Sequence, residues 1–413
     1  MGKSGANVKP HRFKNKGVKK RPAAMKRRPG LFYSPKKKAN NQAMRNLVQD
    51  DFEKICKFSE AQCKSVFTKA KVLPSRKELN DRWCWKCHHK MTLDTSTDIL
   101  RCTAKKCQTR VYNASIAYTP FYNSNSGGHT LTHKTLLKYA FAVGVRTPQD
   151  AMKQYVGTST KHSQRTDQDL RAAVAFIEKK KGDRTAFQNG EVDIDGVSTG
   201  VDRTVDDQTT FKGRFVLYKE RASKNTAWVP IPDKVAKKGK KNLGPEHYET
   251  DLKSHYTSKM LDGSLHSSDA GTALKKAAKK ASKPAVHAVH SKGEYVKESK
   301  ILLSSMTGKE KAVVMKRPAA VTSRYYHTLA GSQSCEGAFG NTKQSKRRTN
   351  MTGRQSGANA HVNSLSAFRL MQEPGTATVL KALAVYREWA SDNISPQRAF
   401  GPKKDKTWLW KSI

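Results

Sequence analysis

Two close pairs of cysteines, Cys84-Trp85-Lys86-Cys87 and Cys102-Thr103-Ala104-Lys105-Lys106-Cys107, restrict what the chain around them can become. Zinc takes four thiolate or imidazole ligands at the corners of a tetrahedron, and two short pairs on facing turns supply that geometry. The pattern C-x2-C, fourteen residues, C-x4-C therefore predicts a small zinc ribbon over 81–120, held by Cys84, Cys87, Cys102 and Cys107, with Met91 to Arg101 as its hairpin. A site closed by four protein ligands serves stability and docking, not chemistry. Substitution of one thiolate by His88 or His89 is the alternative ligand set. Cys56, Cys63 and Cys335 have no such neighbours and read as ordinary thiols. An odd total of seven, behind an N-terminus without the apolar stretch of a secretory signal, argues against a disulfide framework.

Charge restricts the partner. Lys and Arg number 79 against 34 acids, a formal net charge of +45. An excess of that size excludes a neutral metabolic enzyme acting on a small molecule and points to a polyanion, DNA first. No apolar run approaches the roughly 20 residues that a membrane span needs. The first acid is Asp50, and basic clusters broken by Pro and Gly precede it, so residues 1–45 are expected to be a disordered tail. Such clusters act as a nuclear address in a eukaryotic cell, or as a phosphate-binding arm in a cytoplasmic nucleoid. Lys20-Arg21-Pro22-Ala23-Ala24 recurs as Lys316-Arg317-Pro318-Ala319-Ala320, too short to mark a repeat architecture.

Apolar periodicity divides the remainder. A helical segment is expected over 46–80, with Ser59 as an N-cap between two short helices. Three helices over 128–183, with Val156-Gly157-Thr158-Ser159 before the last, suit a helix-turn-helix whose Lys161, Arg165 and Arg171 would face phosphates or base edges. Lys343, Lys346, Arg347 and Arg348 form a further basic run for nucleic acid. From 184 to 392 the pattern becomes strands and then alternating strand and helix, an α/β domain, and 393–413 reads as a C-terminal tail. Helices are expected near 246–261, after Asp269, and near 333–348 and 376–391.

In so basic a chain, acids at strand ends stand out. Asp193 and Asp195 alternate with Val192 and Ile194, so both project from one face of an extended segment. Asp269 stands where a short strand gives way to a helix, and Glu336 follows in Ser334-Cys335-Glu336-Gly337. Each has an ordinary reading as turn acid, helix cap or surface charge. Together they suit phosphodiester chemistry, which uses two divalent ions about 4 Å apart held by carboxylates from separate elements.

The order of these features resembles the ISXO-like insertion-sequence transposases. Both cysteine pairs, Arg110 to Ser115, the helix-turn-helix, Val192-Asp193-Ile194-Asp195, Ser268 to Ala273, His290 to Val296 and Glu336-Gly337 carry the resemblance over about 81–350. It implies an RNase H-like mixed sheet and a DDE site of Asp195, Asp269 and Glu336, with Asp193 beside it and Glu294 as the rival third acid. It implies further Mg²⁺ or Mn²⁺ at the acids, structural Zn²⁺, end-binding as a homo-oligomer, and phosphodiester hydrolysis followed by strand transfer. The chain departs from the family in three places. Gly196 stands where the family often has an acid, a basic insertion occupies about 297–326, and the usual Asn after His327-Thr328 is missing. A non-catalytic DNA- or chromatin-binding protein domesticated from such a transposase is the alternative reading.

Overall fold

The computed structural model describes residues 52–120, 131–157, 160–203, 209–223, 225–236, 246–289, 295–348 and 357–396. The expected basic tail, Glu294 and nearly all of the C-terminal tail lie outside the described residues.

After helical turns over 52–57 come α1 (Glu60–Lys69) and α2 (Arg76–Asn80). Ser59 caps α1 as expected, its hydroxyl accepting from the Gln62 amide while the Gln62 side chain returns to the Ser59 amide. Ser75 and Glu78 repeat the device at α2. A three-stranded antiparallel sheet follows: β1 (Met91–Asp94), β2 (Ile99–Cys102) and β3 (Arg110–Val111). Three helices come next, α3 (His133–Gly144), α4 (Gln149–Val156) and α5 (Thr160–Arg184).

The main sheet is mixed. Its strands β4 (Glu191–Arg203), β5 (Thr209–Glu220), β6 (Thr226–Ile231), β8 (Leu265–Asp269) and β9 (Ala285–Ala288) run in the order β6-β5-β4-β8-β9, with the short β7 (Lys234–Val235) also paired to β5. β4, β5 and β6 are an antiparallel meander, while β8 and β9 add in parallel to β4. A π-helical turn (Tyr248–Leu252) and α6 (Tyr256–Lys259) connect the meander to β8, and α7 (Thr272–Lys280) connects β8 to β9.

One face of this sheet packs Val192, Ile194, Val216 and Tyr218 against Leu252, Tyr256, Leu274 and Ala277. The other face carries Phe215, Leu217 and Trp228, which meet α9 (Gln333–Arg348) and α10 (Gly357–Gln372) through Phe339 and Phe368. Gly213 permits that approach. Its φ of +59° suits glycine, and a Cβ there would lie 2.7 Å from that of Ala360.

The helical segment, the cysteine-bearing sheet and the three helices share one buried apolar cluster, which runs from Ile55 to Ala390, near the end of α11 (Thr376–Asn393). The last of the three helices is not a short recognition helix: α5 has 25 residues and buries Leu170 and Ala172 to Phe176 against α10 and α11. The basic stretch 297–326 is folded. It contains β10 (Lys297–Leu302) and α8 (Gly308–Met315), and β10 pairs with β11 (Tyr325–Ala330) over a core of Ile301, Met306, Val314 and Tyr326. Arg317 of the repeated pentapeptide is committed to Glu191, 3.0 Å away.

Candidate functional site

The four cysteines converge as their spacing predicts. Turns after each pair place His88 and Gln108 at φ of +57° and +45°, which folds Cys84 and Cys87 toward Cys102 and Cys107. All four sulfurs lie within 4.8 Å of one another, with Cys84 3.7 Å from Cys107 and Cys87 3.4 Å from Cys102. Those gaps are too long for disulfides and close to the edge of about 3.8 Å in a tetrahedron of sulfurs 2.3 Å from zinc. The cluster fits a metal ion such as zinc. The Thr109 hydroxyl, then its amide, hold the Cys107 thiol down to about 6, while burial raises that of Cys102, so the thiols do not all favour the thiolate before a metal binds. His89 turns instead to the Cys87 carbonyl, 3.0 Å away, so neither histidine replaces a thiolate.

The acids gather at the ends of the parallel strands. Ile194 pairs with Ser268, so Asp195 and Asp269 are the next residues along two hydrogen-bonded parallel strands. Neighbouring strands run about 4.8 Å apart, and paired residues of a parallel ladder share a face. Asp269 is not tied up as a cap of α7, whose cap residue is Gly271; its Oδ1 only accepts from the Gly271 amide at 3.3 Å. Asp195 accepts from the Gly196 amide at 2.8 Å.

A third carboxylate, Glu246, completes this corner and was not among the sequence candidates. A Cβ on Gly196 would lie 2.0 Å from its Oε1, so the Glu246 carboxylate fills the space that a side chain at 196 would take. Arg214 on β5 fixes the turn behind Glu246 through Asp251, at 2.6 Å and 3.3 Å, and Asp251 accepts from the His247 amide at 3.1 Å. Burial first, then the charges of Asp269 and Glu246, push the pKa of Asp195 well above the usual carboxylate range. Glu246 is raised too, chiefly by burial, with Asp269 adding to it. The buried Ser332 hydroxyl beside Asp195 pulls the other way and holds no hydrogen bond of good geometry.

Asp193 has a different task. Its Oδ1 accepts from Arg221 Nε at 2.6 Å, and its Oδ2 accepts from the Ser334 amide and hydroxyl. Both oxygens are occupied, which makes it a clamp between β4 and the start of α9. Glu336 lies exposed on the first turn of that clamped helix. The buried Cys335 before it donates to the Asp193 carbonyl at 3.3 Å, and its thiol is raised by burial and by Asp193 and Asp195. Among the described residues, only the four cysteines bring three or more ligand atoms within 4.8 Å, so Asp195, Asp269 and Glu336 do not close that far.

The basic candidates divide. Arg171 is 1% exposed and its Nε donates to Asp167 Oδ1 at 2.7 Å, so it is an interior strut and not a phosphate contact. Lys343 is exposed on α9. The side chains of Lys161, Arg165, Lys346, Arg347 and Arg348 lie outside the described residues.

Repulsion at this corner has a measurable consequence. A carboxylate whose pKa is raised by folding stabilises the fold when protonated, and that contribution is lost as pH rises through the folded value. Without divalent ions, Asp195→Asn is therefore expected to stabilise the protein at neutral pH by about 1 kcal/mol, or roughly 2–4 °C in Tm. The gain should vanish as pH falls below about 4, where the unfolded aspartate also protonates. Thermal melts across pH measure it; an unchanged or lower Tm at pH 7 contradicts the described repulsion.

Comparison of the chain with protein-family models, curated proteins and solved structures finds no match. Among the described residues no helix is long and apolar enough to cross a membrane.

Proposed function

We propose that the chain is a DNA transposase, or derives from one, and that Asp195 and Asp269 are the core of a DDE-type site on an RNase H-like sheet. The observation carrying this reading is the parallel register that brings Asp195 alongside Asp269 at the C-terminal ends of β4 and β8. An antiparallel meander extended by two parallel strands, with helices on both faces, is what an RNase H-like core would present.

The donor set suits hard divalent ions: carboxylates on two neighbouring parallel strands, mutual repulsion that a cation would relieve, and the Ser332 hydroxyl beside them. Asp195 and Asp269 would hold Mg²⁺ or Mn²⁺ jointly, Glu246 would supply the carboxylate that Gly196 lacks, and Glu336 would approach from α9. Such ions would supply neutralisation of phosphodiester charge and activation of the attacking oxygen, in hydrolysis and in strand transfer. Asp193 and Arg221 set the position of α9 against β4, and Cys335 excludes water behind the acids. The zinc-ribbon reading of 81–120, the basic tail and the helix-turn-helix reading of 128–183 would engage transposon ends, as a homo-oligomer on DNA. In a eukaryotic cell the tail would direct the chain to the nucleus.

The experiment is strand cleavage and joining on labelled DNA bearing candidate ends, with Mg²⁺ or Mn²⁺. Products that require Asp195 and Asp269 support the reading. Two observations favour the domesticated, non-catalytic alternative: Glu336 is exposed, and Asp195, Asp269 and Glu336 do not close within 4.8 Å. Salt-sensitive DNA binding with no cleavage under either ion would decide for it.

A further inference from the structure

An open cleft of about 660 Å³ lies between α7, β9 and the β10–β11 hairpin. Lys275, Lys279 and Lys283 line it from one side and Lys300 and Tyr325 from the other, and no acidic side chain is among its lining residues. Lysines on an exposed helix face ordinarily only solvate it, and the neighbouring face of α7 behaves that way, with Lys276 paired to Glu249 at 3.3 Å. The cleft differs in two respects. Its cations come from separate elements facing one concavity, and Lys275, Lys279 and Lys300 form no ion pair among the described residues. Lys283 alone is partly committed, to Glu310 at 3.4 Å.

α7 begins three residues after Asp269, and His287 on the cleft wall bonds the Ser268 hydroxyl at 2.9 Å, on the sheet face opposite Asp269. Lys275 and Lys279 stand one turn apart, about 6 Å along the helix. The Lys300 ammonium lies 4.5 Å from the centre of the Tyr325 ring, so the far wall combines a cation with an aromatic face. Spaced cations beside an aromatic side chain in an open groove suit a repeating phosphate chain better than one small anion.

We infer that this cleft is a track for the phosphate backbone of a DNA strand. The choice of DNA as occupant accords with the function proposed above; the binding itself does not depend on cleavage. The test uses the full chain without divalent ions, so it reads whether or not the protein cleaves DNA. Binding of a short labelled duplex is measured against salt for wild type, for Lys275→Ala/Lys279→Ala/Lys300→Ala, and for Lys57→Ala/Lys64→Ala/Lys69→Ala, which removes the same charge from exposed positions at the α1 end. The cleft variant should bind roughly tenfold more weakly, and its slope of log affinity on log salt should flatten by about 2.7, near 0.9 per phosphate contact. The α1 variant should change less than about twofold. Chemical acetylation read by mass spectrometry should find Lys275, Lys279 and Lys300 protected in the wild-type complex. Selective weakening together with protection supports the track. Equal loss in both variants, or unprotected cleft lysines, overturns it.

Discussion

Replacing Cys84 by Ser is expected to release zinc, unfold 81–120 and lower the Tm of the surrounding helices with it. Structural zinc in small domains contributes roughly 10–16 kcal/mol of folding free energy, more than three short strands could recover from packing. The loss should not stay local. Cys84, Met91, Leu100 and Val111 are buried in the same apolar cluster as Leu383 and Ala390 of α11, and Arg82 bonds Asp392 at 2.6 Å. A strong chelator applied to the wild type should reproduce the effect, whereas Cys56→Ser, at an exposed thiol, should be silent. Metal content by mass spectrometry together with thermal melts measures it. Purified protein without zinc and with an unshifted Tm would remove the zinc assignment.

The second large effect concerns the acids. Asp195→Asn and Asp269→Asn should each lower metal-dependent strand cleavage by about 10³-fold or more, because each removes a ligand charge on which the proposed chemistry depends. The double variant should be little worse than either single one, since residues acting as a unit are not additive. Zinc content and DNA affinity should be unchanged, which separates lost chemistry from lost folding. Glu246→Gln should fall between wild type and these variants if its carboxylate supplements the pair. Cleavage rates measured at saturating Mn²⁺ settle it; activity surviving both aspartate substitutions contradicts the proposed mechanism.

Much of this was legible because simple periodicities carry it. Alternation in Val192-Asp193-Ile194-Asp195 is enough to place both aspartates on one face, and close cysteine pairs leave few geometries open. Alternation cannot tell which aspartate is free, since that depends on Arg221 and on Ser334, far along the chain. Glu246 was invisible for a related reason. It stands at the first position of the helix expected over 246–261, where nothing in the sequence links it to Gly196, and only the paired fold carries it there. Helix α10 escaped notice because Asn363, Ser364 and Ser366 are buried within it and blur its apolar stripe. Arg171 misled in the opposite sense: a helical arginine reads as solvated until its neighbours are known, and here Asp167 holds it inside. The lysine-rich 297–326 reads as an insertion because its four core residues are spread thinly along it.

The most direct test of the account is Mn²⁺ binding followed by electron paramagnetic resonance, with zinc in place at the cysteines. Wild type is predicted to take up Mn²⁺, with binding lost in Asp195→Asn and in Asp269→Asn and retained in Asp262→Asn, an exposed acid away from the corner. Equal uptake by all four proteins, or none by any, would contradict a divalent-ion site between β4 and β8.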